Sequence, residues 1–594
     1  MRDVNSDCVL SDQGGDMSSS KKNKSKIFNA KAGNSNGYND KKIKRGGNKG
    51  PVRAFSFPAY ILGIVSVIYA ALLFVIYPLY YEDMYCNMGP AKWHFFKTIT
   101  FGLSNEYGRL IVPFTPLLVL VFIILFYVVG KGDALKETFT RWKQALPVWI
   151  CLAVYITVAF ISTIATPYGD DILWGRSGWY MGILAQTAFA VLFFVYAFFG
   201  KHNKYIVWGA LISLGLVSLI GIGQRFNIDP LHFYDEMNEY NRKTHISTLG
   251  QTSWFSSSII LIIPVACGIF VLAKEKKIQW LTGILIFIEG MILVVDDSDA
   301  GLLAFFAFTS LLFIFSFKSD LMLSRFFAML SVFEAAFILV GLLQKVVPDA
   351  FIAEGSIVKL LTNSVFIYIA LIIDIVLAVV FKKFEKEKKG IAPKIKVVGV
   401  IYAIMLGLGA VLLVVYVILN TKGMAGSLSS SNSYLYFDEY WGNNRGLTWI
   451  SAVNAMKQAA SADPVRLLIG AGPDQFNAFV YEYCGAEMEA RWSAEGIVFG
   501  NAHNEWLSEL ITLGFIGGIA YIGVFISSLV LFLKKSEKTP ELLIPAMCIV
   551  AYMMHNFFCY QQILCTPAIF IIMGLGVQLA YQGNAFFKSN TEGT

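Results

Sequence analysis

Long apolar runs dominate the chain, and their lengths predict helices that cross a membrane. About 20 apolar residues cover the hydrocarbon core of a bilayer as a helix, and about 14 runs of this kind follow residue 56. We therefore predict an all-α polytopic membrane protein. The approximate predicted spans are 57–79, 109–129, 145–166, 179–200, 205–222, 253–273, 279–295, 300–317, 326–347, 360–381, 396–419, 505–533, 541–558 and 567–583.

The connections between these runs alternate in charge, and the alternation predicts a topology. Every second connection is basic, whereas those between them include PYGDD, DDSD and FDEY. Basic loops stay on the cytoplasmic side, so we predict a cell-membrane protein with both termini cytoplasmic. The basic connections are 131–143, 201–204, 274–277, 318–325, 382–389 and 534–538.

The chain divides into four predicted parts. Residues 1–53 carry twelve Lys and Arg against five Asp and are rich in Ser, Asn and Gly, a composition typical of a disordered tail. Helices 1–11 fill 54–419, a large extracytoplasmic loop fills 420–504, and helices 12–14 with a short cytoplasmic tail fill 505–594. The net charge of +7 lies mainly in the tail and the basic loops, which argues against a nucleic-acid partner.

The large loop between helices 11 and 12 is longer than a helix connection needs to be. We predict that it is partly helical and that one of its helices lies over the bundle, because apolar residues recur there on one helical face. The residues on this face are Trp449, Ile450, Val453, Met456 and Ala460.

Three motifs follow one another in this loop and in the helix after it. They are RGLTW (Arg445–Trp449), LLIGAGPDQF (Leu467–Phe476) and NAHNEWLSELITLGFIGG (Asn501–Gly518). Together with GIGQRFNIDP at 221–230 and STLGQTSWFSSSIILIIP at 247–264, this order resembles the O-antigen ligase/polymerase family over roughly residues 145–583. The chain departs from the family pattern at Gln251, where the family has Asn, and at Asp299 in VVDDSDAGLLA, where it has Arg.

The resemblance implies a multi-helix glycosyltransferase of the GT-C type. Such enzymes take a glycan from an undecaprenyl-diphosphate carrier and transfer it to a glycan, lipid or protein acceptor on the outer face of the membrane. A ligase and a polymerase of this family differ in the acceptor, and the sequence leaves both open. Besides these substrates we expect contact with membrane lipid, and we expect no cofactor, nucleotide sugar or metal.

Arginines on the outward side are the candidates for holding the lipid diphosphate, because a guanidinium fork stabilises growing negative charge without a metal. We assign Arg445 to catalysis, and Arg225 with Gln224 and Arg176 to substrate binding. For each arginine the alternative is a solvated pair or a contact with lipid headgroups. The outward cations are Arg176, Arg225, Arg242, Lys243, Arg445 and Arg491.

His503 is the candidate general base, the role that the resemblance suggests, since an imidazole can accept the proton of the acceptor hydroxyl near neutral pH. The alternative is that His503 and Asn504 only cap the following helix. We also assign Asn504 and Glu505 to the substrate site. Glu505 and Asp474 can, in addition, orient His503 or serve as a base. His245 is a weaker candidate for the general base.

Glycines and carboxylates supply further candidates with two interpretations each. Gly470 and Gly472 can cradle a phosphate with backbone N–H groups or form a tight turn. The DDSD segment, 296–299, can bind a divalent cation or cap the next helix. A transporter or flippase of lipid-linked sugars is the alternative function, supported by carboxylates inside apolar runs, and a non-catalytic assembly subunit is a third. The carboxylates in question are Glu289, Glu334 and Asp374.

Overall fold

The computed structural model describes residues 56–82, 88–102, 143–169, 171–235, 237–348, 355–495 and 500–582. Over these residues the protein is almost entirely helical, with one short antiparallel hairpin of β1 (His245–Ile246) and β2 (Gly250–Gln251). The helices are α1 (Ser56–Ala71), α2 (Met88–Phe101), α3 (Leu146–Ala165), α4 (Ile183–Phe199), α5 (Lys204–Arg225), α6 (Glu239–Thr244), α7 (Thr252–Leu272), α8 (Lys276–Val295), α9 (Asp299–Ser316), α10 (Asp320–Val346), α11 (Ser356–Asn363), α12 (Val365–Lys386), α13 (Ile391–Lys394), α14 (Val397–Thr421), α15 (Trp441–Ala462), α16 (Pro464–Ile469), α17 (Phe476–Glu495), α18 (Glu505–Thr512), α19 (Gly514–Lys535), α20 (Leu543–His555) and α21 (Thr566–Gln582).

The helices confirm the class of an all-α membrane protein. Within the described residues, ten helical segments are long and apolar enough to cross a membrane, and α4, α20 and α21 coincide with three shorter apolar helices. The predicted span 109–129 and the predicted tail 1–53 lie outside the described residues. The number of about 14 spans therefore stays a prediction.

The centre of the bundle is α7, and its edge includes α14. In the apolar window of α7, 72% of the residues are buried, compared with 6% in α14. Helices α8 and α20 pack against α7, and the pairs α3 with α19, α4 with α21 and α10 with α12 complete the packing. Because α14 exposes almost its whole apolar surface, it is suited to face lipid.

The single helix predicted over 505–533 is instead two helices, α18 and α19, that meet at Gly514. Gly514 has a left-handed φ of +65°, and a Cβ there would lie 2.5 Å from the backbone N of Gly470. The backbone N–H groups of Ala471 and Gly472 donate to the carbonyls of Ile511 and Thr512, both at 2.9 Å. The break is tolerated because an earlier segment satisfies carbonyls that a continuous helix would have bonded.

The predicted helix in the large loop is present as α15, but a different face is buried. Ala452, Ala455 and Ala459 are fully buried against α17, whereas Val453 is 42% exposed. Small side chains allow α15 and α17 to approach closely, so the small residues rather than the large apolar ones mark the packed face. Helix α2 was not predicted, because the polar residues Lys92 and His94 interrupt its apolar pattern.

Candidate functional site

Arg445 lies in the first turns of α15. This is the end of the bundle on which the described residues 420–495 and 500–504 pack, here called the loop end. The Nη1 of Arg445 donates to the carbonyl of Gly442 at 2.8 Å. Its Nε is buried and has no hydrogen-bond partner among the described residues. The indole of Trp449, one turn further along, donates to the carbonyl of Ala502 at 2.9 Å. This bond fixes α15 to the segment that carries His503.

His503 precedes α18 and has a left-handed backbone, with a φ of +47°. Its N–H donates to Asn501 Oδ1 at 2.8 Å, and its ring meets the ring of Tyr560 edge to face at 5.1 Å. Asn504 caps α18, because its Oδ1 accepts from the N–H of Leu507 at 3.0 Å. The capping role therefore falls to Asn504, and the imidazole of His503 lies beside Tyr560.

Arg445 and His503 are close enough to influence each other electrically. Burial lowers the pKa of His503 to about 3, and the positive charge of Arg445 acts in the same direction. Desolvation disfavours the charged imidazolium, as does a neighbouring cation. The structure thus brings together the two residues assigned to catalysis, with His503 neutral at physiological pH.

Glu505, two residues after His503, is fully buried. Its carboxylate accepts from the hydroxyl of Tyr521 at 2.6 Å, from the hydroxyl of Tyr552 at 2.9 Å and from the side-chain amide of Asn556. The backbone N–H of Glu505 also donates to the carbonyl of Asn556 at 2.9 Å. With these partners Glu505 joins α18, α19 and the end of α20, and a substrate would have to displace them to reach it.

A second buried histidine continues this polar network. His555 Nδ1 is 2.8 Å from Asn556 Oδ1, and its Nε2 is 2.7 Å from the hydroxyl of Ser256. Since Asn556 offers an oxygen here, Nδ1 carries the proton and Nε2 accepts from Ser256. The hydroxyl of Ser298 donates in turn to Ser256 Oγ at 3.0 Å. The network therefore extends from α18 to the start of α9.

Arg225 and Gln224 brace a different part of the loop end. The Arg225 guanidinium donates to the carbonyls of Arg242 and Lys243 at 2.6 and 2.8 Å, both in the last turn of α6. Gln224 is buried, accepts from the N–H of Ser247 at 2.7 Å and donates to Asp229 at 3.0 Å. In these positions both side chains brace the connection between α5 and β1.

Asp474 anchors the turn that contains Arg176. Asp474 Oδ2 accepts from the backbone N–H groups of Arg176 and Met181 at 2.6 and 3.2 Å. Burial raises the pKa of Asp474 to about 7, although these two hydrogen bonds act in the opposite direction. Arg176 is thus linked to Asp474 by its backbone N–H, and its positive charge also acts to lower the pKa of this carboxyl.

Gly470 and Gly472 have φ values of +91° and +109°. A Cβ at Gly470 would lie 2.3 Å from the carbonyl oxygen of Thr512. The N–H of Gly472 and that of Ala471 are already donated to α18, so a phosphate would have to displace these bonds. The close approach of the two segments is what requires glycine here.

Side chains of the DDSD segment, 296–299, bond to different partners. Ser298 caps α9, Asp297 accepts from the N–H of Gly355 at 3.2 Å, and Asp299 accepts from the hydroxyl of Tyr434 at 2.9 Å. Among the described residues, no group of three His, Cys, Asp or Glu side chains is arranged to hold a metal ion.

Sequence reasoning missed Tyr560, His555 and Asn556. One signal was available, although it is not specific to the site: the dipeptide His-Asn occurs at 503–504 and 555–556, and also at 202–203. The side chain of Arg491 lies outside the described part of the chain.

Comparison with protein-family models and with curated proteins found no match. The resemblance to a family therefore rests on the motifs of the chain alone.

Proposed function

We propose that the protein is a membrane glycosyltransferase resembling O-antigen ligases. It transfers a glycan from an undecaprenyl-diphosphate carrier to an acceptor on the outer face of the cell membrane. The observation that carries the proposal is the proximity of Arg445 and His503 at the loop end. Alternation of basic connections along the chain supports an extracytoplasmic loop and cytoplasmic termini.

In the proposed reaction, the acceptor hydroxyl oxygen attacks the anomeric carbon of the donor sugar. The bond between this carbon and the diphosphate oxygen breaks, and the diphosphate leaves with the electron pair, still attached to its lipid. His503 takes the hydroxyl proton. Arg445 offers N–H groups to the growing negative charge, which is the type of interaction that lowers such barriers most.

The low pKa of His503 fits this scheme once the donor is bound. Without a ligand, burial and Arg445 keep the imidazole neutral, so one of its two ring nitrogens is unprotonated, although this nitrogen is a weak base. A diphosphate beside Arg445 adds negative charge next to the ring, and nearby negative charge raises the pKa of a histidine. Donor binding thus strengthens the base when it is needed.

The acceptor decides between a ligase and a polymerase. Both carry out the same transfer at the same anomeric carbon, and both need one base and one diphosphate-binding cation. A growing chain of the same repeat unit would make the protein a polymerase, whereas a lipid core or a protein would make it a ligase.

The test is transfer by the purified protein in lipid nanodiscs, with an undecaprenyl-diphosphate-linked glycan and candidate acceptors isolated from the cell envelope. We expect product formation that persists in EDTA, loss of it in His503→Ala, and weaker donor binding in Arg445→Lys, because a point charge does not replace a bidentate fork. His232→Ala is the matched control: His232 also has a positive φ, of +57°, and its side chain is 74% exposed. Equal transfer by His503→Ala and His232→Ala would contradict the proposal.

A carboxyl pair inside the bundle favours the transporter as the second candidate. Glu334 in α10 and Asp374 in α12 lie on two helices packed against each other and are close enough to interact, and carboxyls inside membrane helices often mark proton or ion paths. The test is movement of a fluorescent lipid-linked sugar across proteoliposomes without an acceptor. Movement that Glu334→Gln abolishes, together with no transfer in nanodiscs, would favour transport.

A further inference from the structure

A mostly apolar groove runs between α3 and α19 on the outside of the bundle. Its cavity volume is about 500 Å³, within the range of about 300–1,000 Å³ that is usual for ligand sites. On α19 the lining residues recur every three or four positions from 519 to 534, so they form one stripe of that helix. The walls include Ala145, Val148, Cys151, Ile526, Ser527 and Lys534.

The lining residues of the two helices differ in exposure. Ala145 and Val148 on the α3 side are buried, whereas Ile526 on the α19 side is 49% exposed. The helices approach closely at Gly523, where a Cβ would lie 2.7 Å from the Sγ of Cys151. The groove therefore has a closed apolar floor and opens outward, toward the lipid that surrounds the bundle.

One end of the groove is basic. Lys534 is exposed and lines the groove itself, and an exposed Lys143 precedes α3 at the same end. Lys535 Nζ donates to Gln144 Oε1 at 3.3 Å, which ties the end of α19 to the start of α3. The nearest carboxylate along the chain, Glu537, acts on the charge of a different residue, Lys318. The end of an apolar groove thus offers positive charge to an anion.

The length of the groove suits one acyl chain. Ile519 and Lys534 both line it, and their separation along α19 corresponds to about 22 Å of helix. One leaflet contributes about half of the roughly 30 Å hydrocarbon core of a bilayer. An acyl chain whose headgroup lies at Lys534 can therefore follow the groove through the whole thickness of its own leaflet.

We propose that this groove binds an anionic phospholipid, with the phosphate at Lys534 and one acyl chain between α3 and α19. Because Lys534 belongs to a connection predicted to be cytoplasmic, the lipid comes from the inner leaflet. The proposal is independent of the proposed function, since no step of the transfer uses this groove. The rival explanation is that Lys534 only sets the orientation of α19 in the membrane, with lipids exchanging freely along its apolar surface.

The test compares two lipids with the same acyl chains and different headgroup charge. Native mass spectrometry of the purified full-length protein in detergent gives the dissociation constant of the first lipid bound, for dioleoyl-phosphatidylglycerol and for dioleoyl-phosphatidylcholine. For the wild type we expect the anionic lipid to bind about fivefold more tightly, which corresponds to about 1 kcal/mol for one lysine. Lys534→Gln should reduce this preference to about twofold or less. Ser527→Phe should weaken binding of both lipids, because Ser527 lines the groove and a phenyl ring there would fill it.

The matched controls make the same kinds of change outside the groove. Lys276→Gln removes an exposed lysine at the start of α8, in another predicted cytoplasmic connection, and should keep the preference. Ile404→Phe adds a ring on α14, where Ile404 is 56% exposed, and should leave both affinities unchanged. If Ser527→Phe fails to fold, Lys534→Gln decides alone, because it alters only an exposed side chain.

Three results would overturn the proposal. The first is equal affinity of the wild type for the two lipids, and the second is a loss of preference in Lys276→Gln as large as that in Lys534→Gln. The third is unchanged binding of both lipids by a folded Ser527→Phe variant, which would show that the lipid lies elsewhere on the bundle. None of these results bears on the proposed function, because the measurement includes no glycan donor.

Discussion

Replacing Glu505 should destabilise the protein strongly, because its carboxylate is the common acceptor of three buried donors. The donors come from Tyr521, Tyr552 and Asn556, and Glu505 itself is 0% exposed. A buried donor left without an acceptor costs about 1–3 kcal/mol. Some of the three will find water in the space that Glu505→Ala creates. We therefore expect a loss of about 3–5 kcal/mol in the free energy of unfolding.

Glu505→Gln separates the structural role from a catalytic one. The amide has the same shape and keeps one acceptor oxygen, so we expect a loss of about 1–3 kcal/mol. Transfer per folded molecule should stay close to that of the wild type, because Glu505 contacts no open space. A catalytic acid or base at this position would instead lose its activity in the Gln variant.

The assay is unfolding of the purified protein by denaturant, followed by tryptophan fluorescence and extrapolated to zero denaturant. Glu239→Ala is the control, since Glu239 is a surface residue with a side chain 83% exposed, and it should change stability by about 0.5 kcal/mol or less. If Glu505→Ala stays within about 1 kcal/mol of the wild type, the network does not hold the loop end together.

Three further predictions concern the site and the helix break. His503→Ala should lower the rate of transfer by about 10²–10⁴-fold, and a loss no larger than that of His232→Ala would exclude a general base. The pH profile of kcat/KM reports the pKa values of the free enzyme, and the pKa of His503 is lowered to about 3. Protonation of His503 should therefore not lower kcat/KM between about pH 7.5 and 5.5. A decrease in kcat/KM on the acid side with a midpoint near pH 6.5, lost in His503→Ala, would contradict the buried imidazole. Gly514→Ala should cost about 2 kcal/mol or more, because its φ of +65° and its contact with Gly470 exclude a Cβ. Gly407→Ala is the control, because a Cβ at Gly407 in α14 would have no atom within 4 Å, and this change should be neutral or slightly stabilising. Equal stability of the two variants would show that the helix break tolerates a side chain.

The membrane helices were predictable because a bilayer leaves the chain few alternatives. Every backbone polar group must be paired inside a helix at that depth, so an apolar run of sufficient length implies a helix. The predicted spans 145–166 and 253–273 correspond to α3 and α7 with ends shifted by one residue. The break at Gly514 was not predictable in this way, because GFIGG continues the apolar pattern and the partner of the break lies some forty residues earlier.

The site was predictable only where one motif carries the residue. Arg445 and His503 each lie in a recognisable segment, and the structure brings them together. Tyr560 lies in a short connection with no such signal, and its contact with His503 depends on how α18 and α20 pack. Arg225 was grouped with Arg445 on the basis of charge, but its guanidinium bonds to carbonyls at the end of α6, which no local pattern reveals.

The hydrogen bonds across the helix break set an order of events during biosynthesis. Ala471 and Gly472 leave the ribosome before Ile511 and Thr512, to which their N–H groups bond. The loop can therefore complete its contacts only after α18 has been made. Helix α19 begins two residues after α18 ends, so it enters the membrane at about the same time. A nascent chain that stalls between the two segments would carry a loop without its anchor, open to the proteases that monitor membrane protein assembly.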